Sequence, residues 1–196
     1  MSTRSLPGLV LAVLLLVLPL KGISQTIQCG SLRYLVESRG FKHIVLGADI
    51  NSLQLEPLKF LDNNQRPDAD SCFSYACNDS EILTIDSNLK LDMIGIRTYK
   101  NKIVNIYLFF PEKDAYKVLS NFLKNYGQFT EKPVEYANVY DWNTQSVKLS
   151  LSYNSDVDEG VAVFTFTPLL ASIQDSNRKK HDAVTLQAYN ILNNMP

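Results

Sequence analysis

The clearest pattern in the chain is an apolar helical stripe just after its middle. Over residues 112–126, apolar side chains recur at i, i+3, i+4 and i+7, which places them along one side of an α-helix. Pro111 opens this segment, and Gly127 stands where a helix commonly ends. The pattern predicts an amphipathic helix that packs on a sheet through Ala115, Val118, Leu119, Phe122, Leu123 and Tyr126.

Strand-like patterns lie on both sides of this helix. Residues 91–99 and 102–110 are predicted strands, and they are joined by Lys100 and Asn101, a two-residue link that suits a tight hairpin. Residues 103–110 are apolar at both alternating sets of positions, which predicts a central strand covered on both faces. Three more strands are predicted at residues 134–142, 147–153 and 161–167.

The remaining predicted elements are shorter. A helix with Leu32, Leu35 and Val36 on one side ends at Gly40, and strands are predicted at residues 41–46, 72–76 and 82–85. A last helix is predicted over residues 178–194. Short links between strands favour antiparallel pairing, so the predicted fold class is α+β: a mainly antiparallel sheet with helices packed on it, in the order β-β-α-β-β-β-α from residue 91.

The amino terminus has the three parts of a secretory signal peptide. Arg4 provides a positive charge, an apolar run of about 12 residues follows, and Gly22 and Ser24 place small residues before a cut at Gln25. The run is shorter than the roughly 20 residues that span a bilayer. We therefore expect a signal peptide over residues 1–24 and a single α+β domain over residues 25–196, secreted or periplasmic. An uncleaved membrane anchor is the alternative.

Export changes how the cysteines are interpreted, because thiols outside the cytosol tend to be oxidised. Cys29, Cys72 and Cys77 allow one disulfide with one thiol left over. An odd spacing on a strand places Cys72 and Cys77 on opposite faces, so the prediction is a bond from Cys29 to one of these two. Three unpaired cysteines are the alternative.

Composition and motifs exclude several functions. The net charge of −1 shows no basic excess of the kind that marks a nucleic-acid binder, and two His and three Cys are too few for a zinc framework. Residues 154–160 carry oxygen-bearing side chains at alternate positions, as a calcium loop would. However, their glycine comes one place late and Thr165 stands where a calcium loop needs Glu, so a turn is favoured. We identify no catalytic, cofactor-binding or metal-ligating residue.

One candidate recognition surface emerges from the predicted strand at residues 134–142. Tyr136, Asn138, Tyr140 and Trp142 alternate onto one face of that strand. If Tyr136, Tyr140 and Trp142 are exposed, they form an aromatic strip suited to binding. The alternative is that these rings cover the core side of the sheet, because aromatic residues are common in strands.

Four segments together resemble a pattern in small exported bacterial α+β proteins of unknown function. They are GFKHIVLG (residues 40–47), KNKIVNIYLFF (residues 100–110), FLKNYG (residues 122–127) and VYDW followed by VKLSLSY (residues 139–153). The matching positions are strand hydrophobes, helix-stripe residues and terminal glycines. The resemblance implies an envelope or secreted setting and an α+β fold, and it transfers no catalytic residue.

These observations favour an exported binding or interaction module without enzymatic activity. Its expected partner is a protein or an envelope ligand of unknown identity, not a nucleic acid, and no membrane span is expected once the signal is removed. The main alternative is a hydrolase that acts on envelope or extracellular polymers through a pair of carboxylates that no motif reveals. A purely structural envelope component is a third hypothesis.

Overall fold

The computed structural model describes residues 29–53, 58–61, 72–77, 79–156 and 158–179. The predicted signal peptide and most of the predicted last helix lie outside the described residues. In chain order the strands are β1 (Gly40–Phe41), β2 (Ile44–Val45), β3 (Leu58–Leu61), β4 (Cys72–Cys77), β5 (Thr84–Asp86), β6 (Leu89–Lys90), β7 (Met93–Tyr99), β8 (Lys102–Pro111), β9 (Val139–Asn143), β10 (Val147–Asn154) and β11 (Glu159–Phe166). The helices are α1 (Leu32–Ser38), α2 (Ser80–Leu83), α3 (Ala115–Tyr126) and α4, which begins at residue 167 and is described to residue 179.

In the part of the chain that the structure describes, seven strands form one antiparallel sheet. Their order is β3-β4-β7-β8-β11-β10-β9, and β1-β2 and β5-β6 are separate two-stranded ribbons. From residue 91 onward the elements follow the predicted order, ending in α4. The fold class is therefore α+β, as predicted. Strand β8, which is apolar at both alternating sets of positions, lies at the centre of the sheet.

The hairpin between β7 and β8 forms as predicted. Lys100 and Asn101 both adopt positive φ, 49° and 60°, which is the conformation that a type I′ turn demands of its two central residues. This turn sets the pairing of the two strands, which then shifts by one residue at a bulge between Arg97 and Thr98.

Helix α3 covers one face of the sheet with the predicted stripe. Phe122 is 1% exposed, and its ring meets Trp142 and Phe164 edge-on, each at 6.0 Å between ring centroids. The helix ends at Gly127, whose φ is 78° and whose carbonyl accepts a 2.8 Å hydrogen bond from Trp142 Nε1. Burial of the stripe therefore joins α3 to β9 and β11, and this hydrogen bond fixes its carboxyl end.

Four predictions of strand or helix bounds are wrong. The segment predicted as one strand at residues 41–46 is instead a tight hairpin, in which Phe41 of β1 pairs with Ile44 of β2. The strand predicted from residue 134 begins only at Val139, because the chain before it bonds locally: the Ala137 N–H donates to the Val134 carbonyl at 3.3 Å. Residues 82–83 close the short helix α2, whose amino end is capped by the Asp79 carboxylate, so the strand predicted from residue 82 starts at Thr84. Helix α4 begins at residue 167, well before the predicted 178.

The predicted disulfide from Cys29 to Cys72 or Cys77 is also wrong, because all three cysteines are free. Cys77 is buried on β4, where it pairs with Ile94 of β7, and Ile94 in turn pairs with Leu108 of β8. Cys29 is exposed beside the carboxyl end of α3, where the neighbouring Gly30 N–H donates to the Asn125 carbonyl at 2.7 Å. Cys29 and Cys77 therefore lie in different parts of the fold, and no disulfide joins them.

Candidate functional site

The face of the sheet that points away from α3 carries two aromatic rings side by side. Ile106, Leu108 and Phe110 of β8 belong to the core, so Tyr107 and Phe109 project to this second face. Their rings are nearly parallel, with centroids 6.3 Å apart and an interplanar angle of 15°. Both side chains are half-buried.

Gly95 on the neighbouring strand explains how these rings are placed. It pairs with Tyr107, and a side chain added at Gly95 would put its Cβ 3.4 Å from Phe109 Cε2. The Phe109 ring therefore leans across β7 over the glycine. We call Tyr107 and Phe109, lying beside Gly95, the aromatic platform.

A groove of about 560 Å³ adjoins the Phe109 end of the platform, which we call the tyrosine groove. Its floor is one row of paired residues across four strands: Phe109, Val161, Ser152 and Val139. A loop at residues 136–138 forms one wall, and the turn between β10 and β11 forms the other. The described residues that line it are Phe109, Tyr136, Ala137, Asn138, Val139, Ser152, Tyr153, Asn154, Ser155, Glu159, Gly160 and Val161.

The loop that carries Tyr136 is braced at its base. Phe129 packs edge-on against Tyr140 and Trp142, with ring centroids 5.2 and 6.3 Å apart. The Lys132 ammonium lies 5.6 Å from the centre of the Tyr140 ring and donates a 2.8 Å hydrogen bond to the Glu135 carbonyl. Tyr136 itself remains 92% exposed. The loop therefore presents a large aromatic side chain to solvent from a supported position.

The predicted aromatic strip of Tyr136, Tyr140 and Trp142 does not form. Residues before Val139 are not part of a strand, so Tyr136 lies on the loop. On β9, Trp142 is fully buried and Tyr140 packs against the core, because the even-numbered positions of this strand face α3. Of the three strip residues, Tyr136 is the one that lines the groove.

Two polar side chains lie in or near the groove: Tyr153 lines it, and Asp141 lies two residues beyond Val139 on β9. Burial, with the hydroxyls of Tyr140 and Tyr116 close by, raises the pKa of Tyr153 above its ordinary value, so this phenol stays neutral at physiological pH. Further along the second face, the buried Asp141 carboxylate accepts hydrogen bonds from Lys148 Nζ at 2.7 Å and Ser150 Oγ at 2.5 Å. These hydrogen bonds hold Asp141 against β10 in a structural role.

The calcium alternative for residues 154–160 finds no support. The Asp156 N–H donates to Asn154 Oδ1 at 2.9 Å, and Asp158 has a positive φ of 52°. Both features belong to a turn between strands, the interpretation that the sequence favours. Among the described residues, no group of three or more His, Cys, Asp or Glu is placed to hold a metal ion.

Sequence reasoning did not identify Phe109, Asn154 or Glu159 as site residues. Phe109 was assigned to a strand covered on both faces, and the other two were considered as calcium-loop residues and then assigned to a turn. One signal does exist in the sequence: Gly95 interrupts the apolar run of Met93, Ile94 and Ile96, and such a glycine often marks close approach by a neighbouring group.

No protein-family model, curated protein or solved structure matches this chain. Helices α1 to α4, as far as they are described, include none that is long and apolar enough to cross a membrane. The function of the groove is therefore argued from its own residues. Aromatic rings, amides, hydroxyls and one carboxylate are suited to holding a ligand by contact and hydrogen bonding.

Proposed function

We propose that this protein is an exported, non-enzymatic binding module that holds its ligand in the tyrosine groove. The observation that carries the proposal is Tyr136, which is 92% exposed on a braced loop at the edge of the groove. Tyrosine combines a large apolar ring with a hydroxyl, and it loses little conformational entropy when it is immobilised. For these reasons exposed tyrosines on supported loops are typical of recognition surfaces.

The carboxylates favour binding over hydrolysis. Polymer hydrolysis by acid–base chemistry needs two carboxyl groups that flank the bond to be broken, commonly with a raised pKa on the acid. Glu159 is the only carboxylate among the described residues that line the groove. Elsewhere, the Asn51 backbone N–H lowers the pKa of Asp49, and Lys179 lowers the pKa of Asp175. Both shifts run opposite to that required of a catalytic acid.

Nuclear magnetic resonance mapping tests the site. An envelope extract, separated into carbohydrate and protein fractions, is added to 15N-labelled protein. We expect at least one fraction to shift amide signals within residues 136–139, 152–156 and 158–161. Tyr136→Ala should weaken this response at least about tenfold, because loss of an aromatic hot-spot side chain commonly costs about 2 kcal/mol or more and a factor of ten corresponds to about 1.4 kcal/mol.

Lys117→Ala is the control. Lys117 is exposed on α3, its ammonium pairs with the Asp114 carboxylate, and it is not among the groove-lining residues. Its removal should leave the shifts intact. Shifts confined to another surface would refute the groove as the binding site. Degradation of a polymer that is abolished by Glu159→Gln would instead establish the hydrolase.

The export part of the proposal rests on the amino-terminal pattern of charge, apolar run and small residues. The exported protein should begin near Gln25. Mass analysis of its amino-terminal peptide tests this directly. Recovery of exported protein that retains residues 1–21 would contradict cleavage and favour the membrane anchor.

A further inference from the structure

We infer that the ligand of the tyrosine groove is a neutral carbohydrate chain, which extends from the groove onto the aromatic platform. This inference rests on the proposed binding function. Three features of the described residues carry it: a flat aromatic surface, a polar lining without positive charge, and a neighbouring sheet edge that is already occupied.

The aromatic platform offers the flat apolar surface that a sugar ring requires. Tyr107 and Phe109 lie within 15° of parallel beside Gly95, and Phe109 also belongs to the groove floor. One side of a pyranose ring presents C–H groups, whose slight positive charge is attracted to the negative face of an aromatic ring. Rings aligned along β8 and continued by Tyr136 can contact successive sugars of a chain.

The polar lining matches the hydroxyl groups of a sugar. Asn138 and Asn154 each carry a donor and an acceptor in one planar group, and the Glu159 carboxylate accepts two hydrogen bonds side by side. Neighbouring sugar hydroxyls both donate and accept, so such planar groups can bind two of them at once. Ser152 and Ser155 add two hydroxyl groups to the lining.

The charge of the lining excludes strongly anionic ligands. No Lys or Arg is found among the described residues that line the groove, and Glu159 contributes a negative charge. A phosphate, a nucleic acid or an acidic polysaccharide would therefore meet no partner for its charge and would be repelled. A neutral ligand incurs no such penalty.

A peptide that adds a strand to the sheet is also disfavoured. Such binding needs unpaired backbone groups on an edge strand, and the edge strand next to the groove is β9. The outer N–H and C=O of Asp141 already bond to Glu131, at 2.9 and 3.2 Å, and the Asn143 N–H donates to Thr130 Oγ1 at 2.9 Å. The outer backbone groups of Asp141 and the N–H of Asn143 are therefore already bonded and are not available to a peptide.

Titration calorimetry with defined oligosaccharides tests the inference. The probes are the hexaoses of cellulose, xylan, mannan, starch and β-1,3-glucan, with oligogalacturonate as the anionic comparison. We expect saturable binding of at least one neutral hexaose and none of oligogalacturonate. Tyr136→Ala and Glu159→Gln should each weaken that binding at least about tenfold, and Lys117→Ala should leave it unchanged. Because Tyr136, Glu159 and Lys117 are all exposed, these variants are expected to fold.

The outcomes separate this inference from the proposed function. If no neutral hexaose binds, and the carbohydrate fraction of the envelope extract shifts no groove signals, the carbohydrate inference is overturned. The binding function still stands in that case if the protein fraction shifts the groove signals. If oligogalacturonate binds and the neutral hexaoses do not, the charge argument is wrong and the inference falls with it.

Discussion

Truncation of Phe122 to alanine is expected to lower the free energy of unfolding by about 3–5 kcal/mol. The side chain is 1% exposed and contacts three other aromatic rings, those of Tyr126, Trp142 and Phe164. Its removal leaves a cavity that rigid rings on α3, β9 and β11 cannot collapse to fill, so both the transfer energy and the packing contacts are lost. Urea unfolding should show a clearly lower midpoint with an unchanged slope.

Lys117→Ala on the same helix is the control. Lys117 is exposed, and its ammonium lies 2.6 Å from the Asp114 carboxylate. Exposed ion pairs of this kind contribute at most about 1 kcal/mol, so this variant should unfold close to the wild type. Equal midpoints for the Phe122 and Lys117 variants would mean that the stripe of α3 does not face the core.

Elements specified by local chemistry could be predicted from the sequence. The stripe of α3 follows from its 3.6-residue period, and its end follows from a glycine at Gly127 with positive φ. The β7–β8 hairpin follows from the short Lys100-Asn101 link. In each case the deciding interactions lie within a few residues, which a single sequence displays.

Some of the errors arise where residues distant in sequence decide the outcome. The alternating pattern over residues 134–142 resembles one long strand. However, the chain before Val139 forms a local turn, and Phe129 packs against Tyr140 on the strand that follows. The cysteines illustrate the same limit, since Cys29 lies by the carboxyl end of α3, whereas Cys77 is buried within the sheet on β4. Neither arrangement is visible without knowledge of how the strands and α3 are placed in space.

The candidate site is mostly a product of sheet register. Phe109 joins Val161, Ser152 and Val139 only because β8, β11, β10 and β9 are paired in that order and alignment. Tyr136 was identified from the sequence, but for a strand position that it does not occupy. The aromatic character of Tyr136 was therefore enough to identify the residue. The groove beside it could not be predicted, because it depends on the order and alignment of the strands.

Replacement of Gly160 by alanine is expected to destabilise the protein by about 3 kcal/mol, the upper end of what overpacking of a core usually costs. Gly160 pairs with Phe110 across β8 and β11, and the Phe110 ring lies directly over it: an added Cβ would be 2.0 Å from Phe110 Cε2. Phe110 is 1% exposed, so its ring has no free space to move into. The clash must be relieved by a strained rotamer or a shift of the backbone.

Gly95→Ala provides the matched comparison on the opposite face of the same sheet. Its added Cβ would contact Phe109 and Tyr107 at 3.4 Å, an ordinary packing distance, and both rings are only half-buried. We expect a change within about 1 kcal/mol for this variant, since no buried group has to move. Thermal and urea unfolding of the two glycine variants should therefore differ clearly. If Gly160→Ala is as stable as Gly95→Ala, the Phe110 ring does not lie over Gly160 and the packing of the core at this end of the sheet is different.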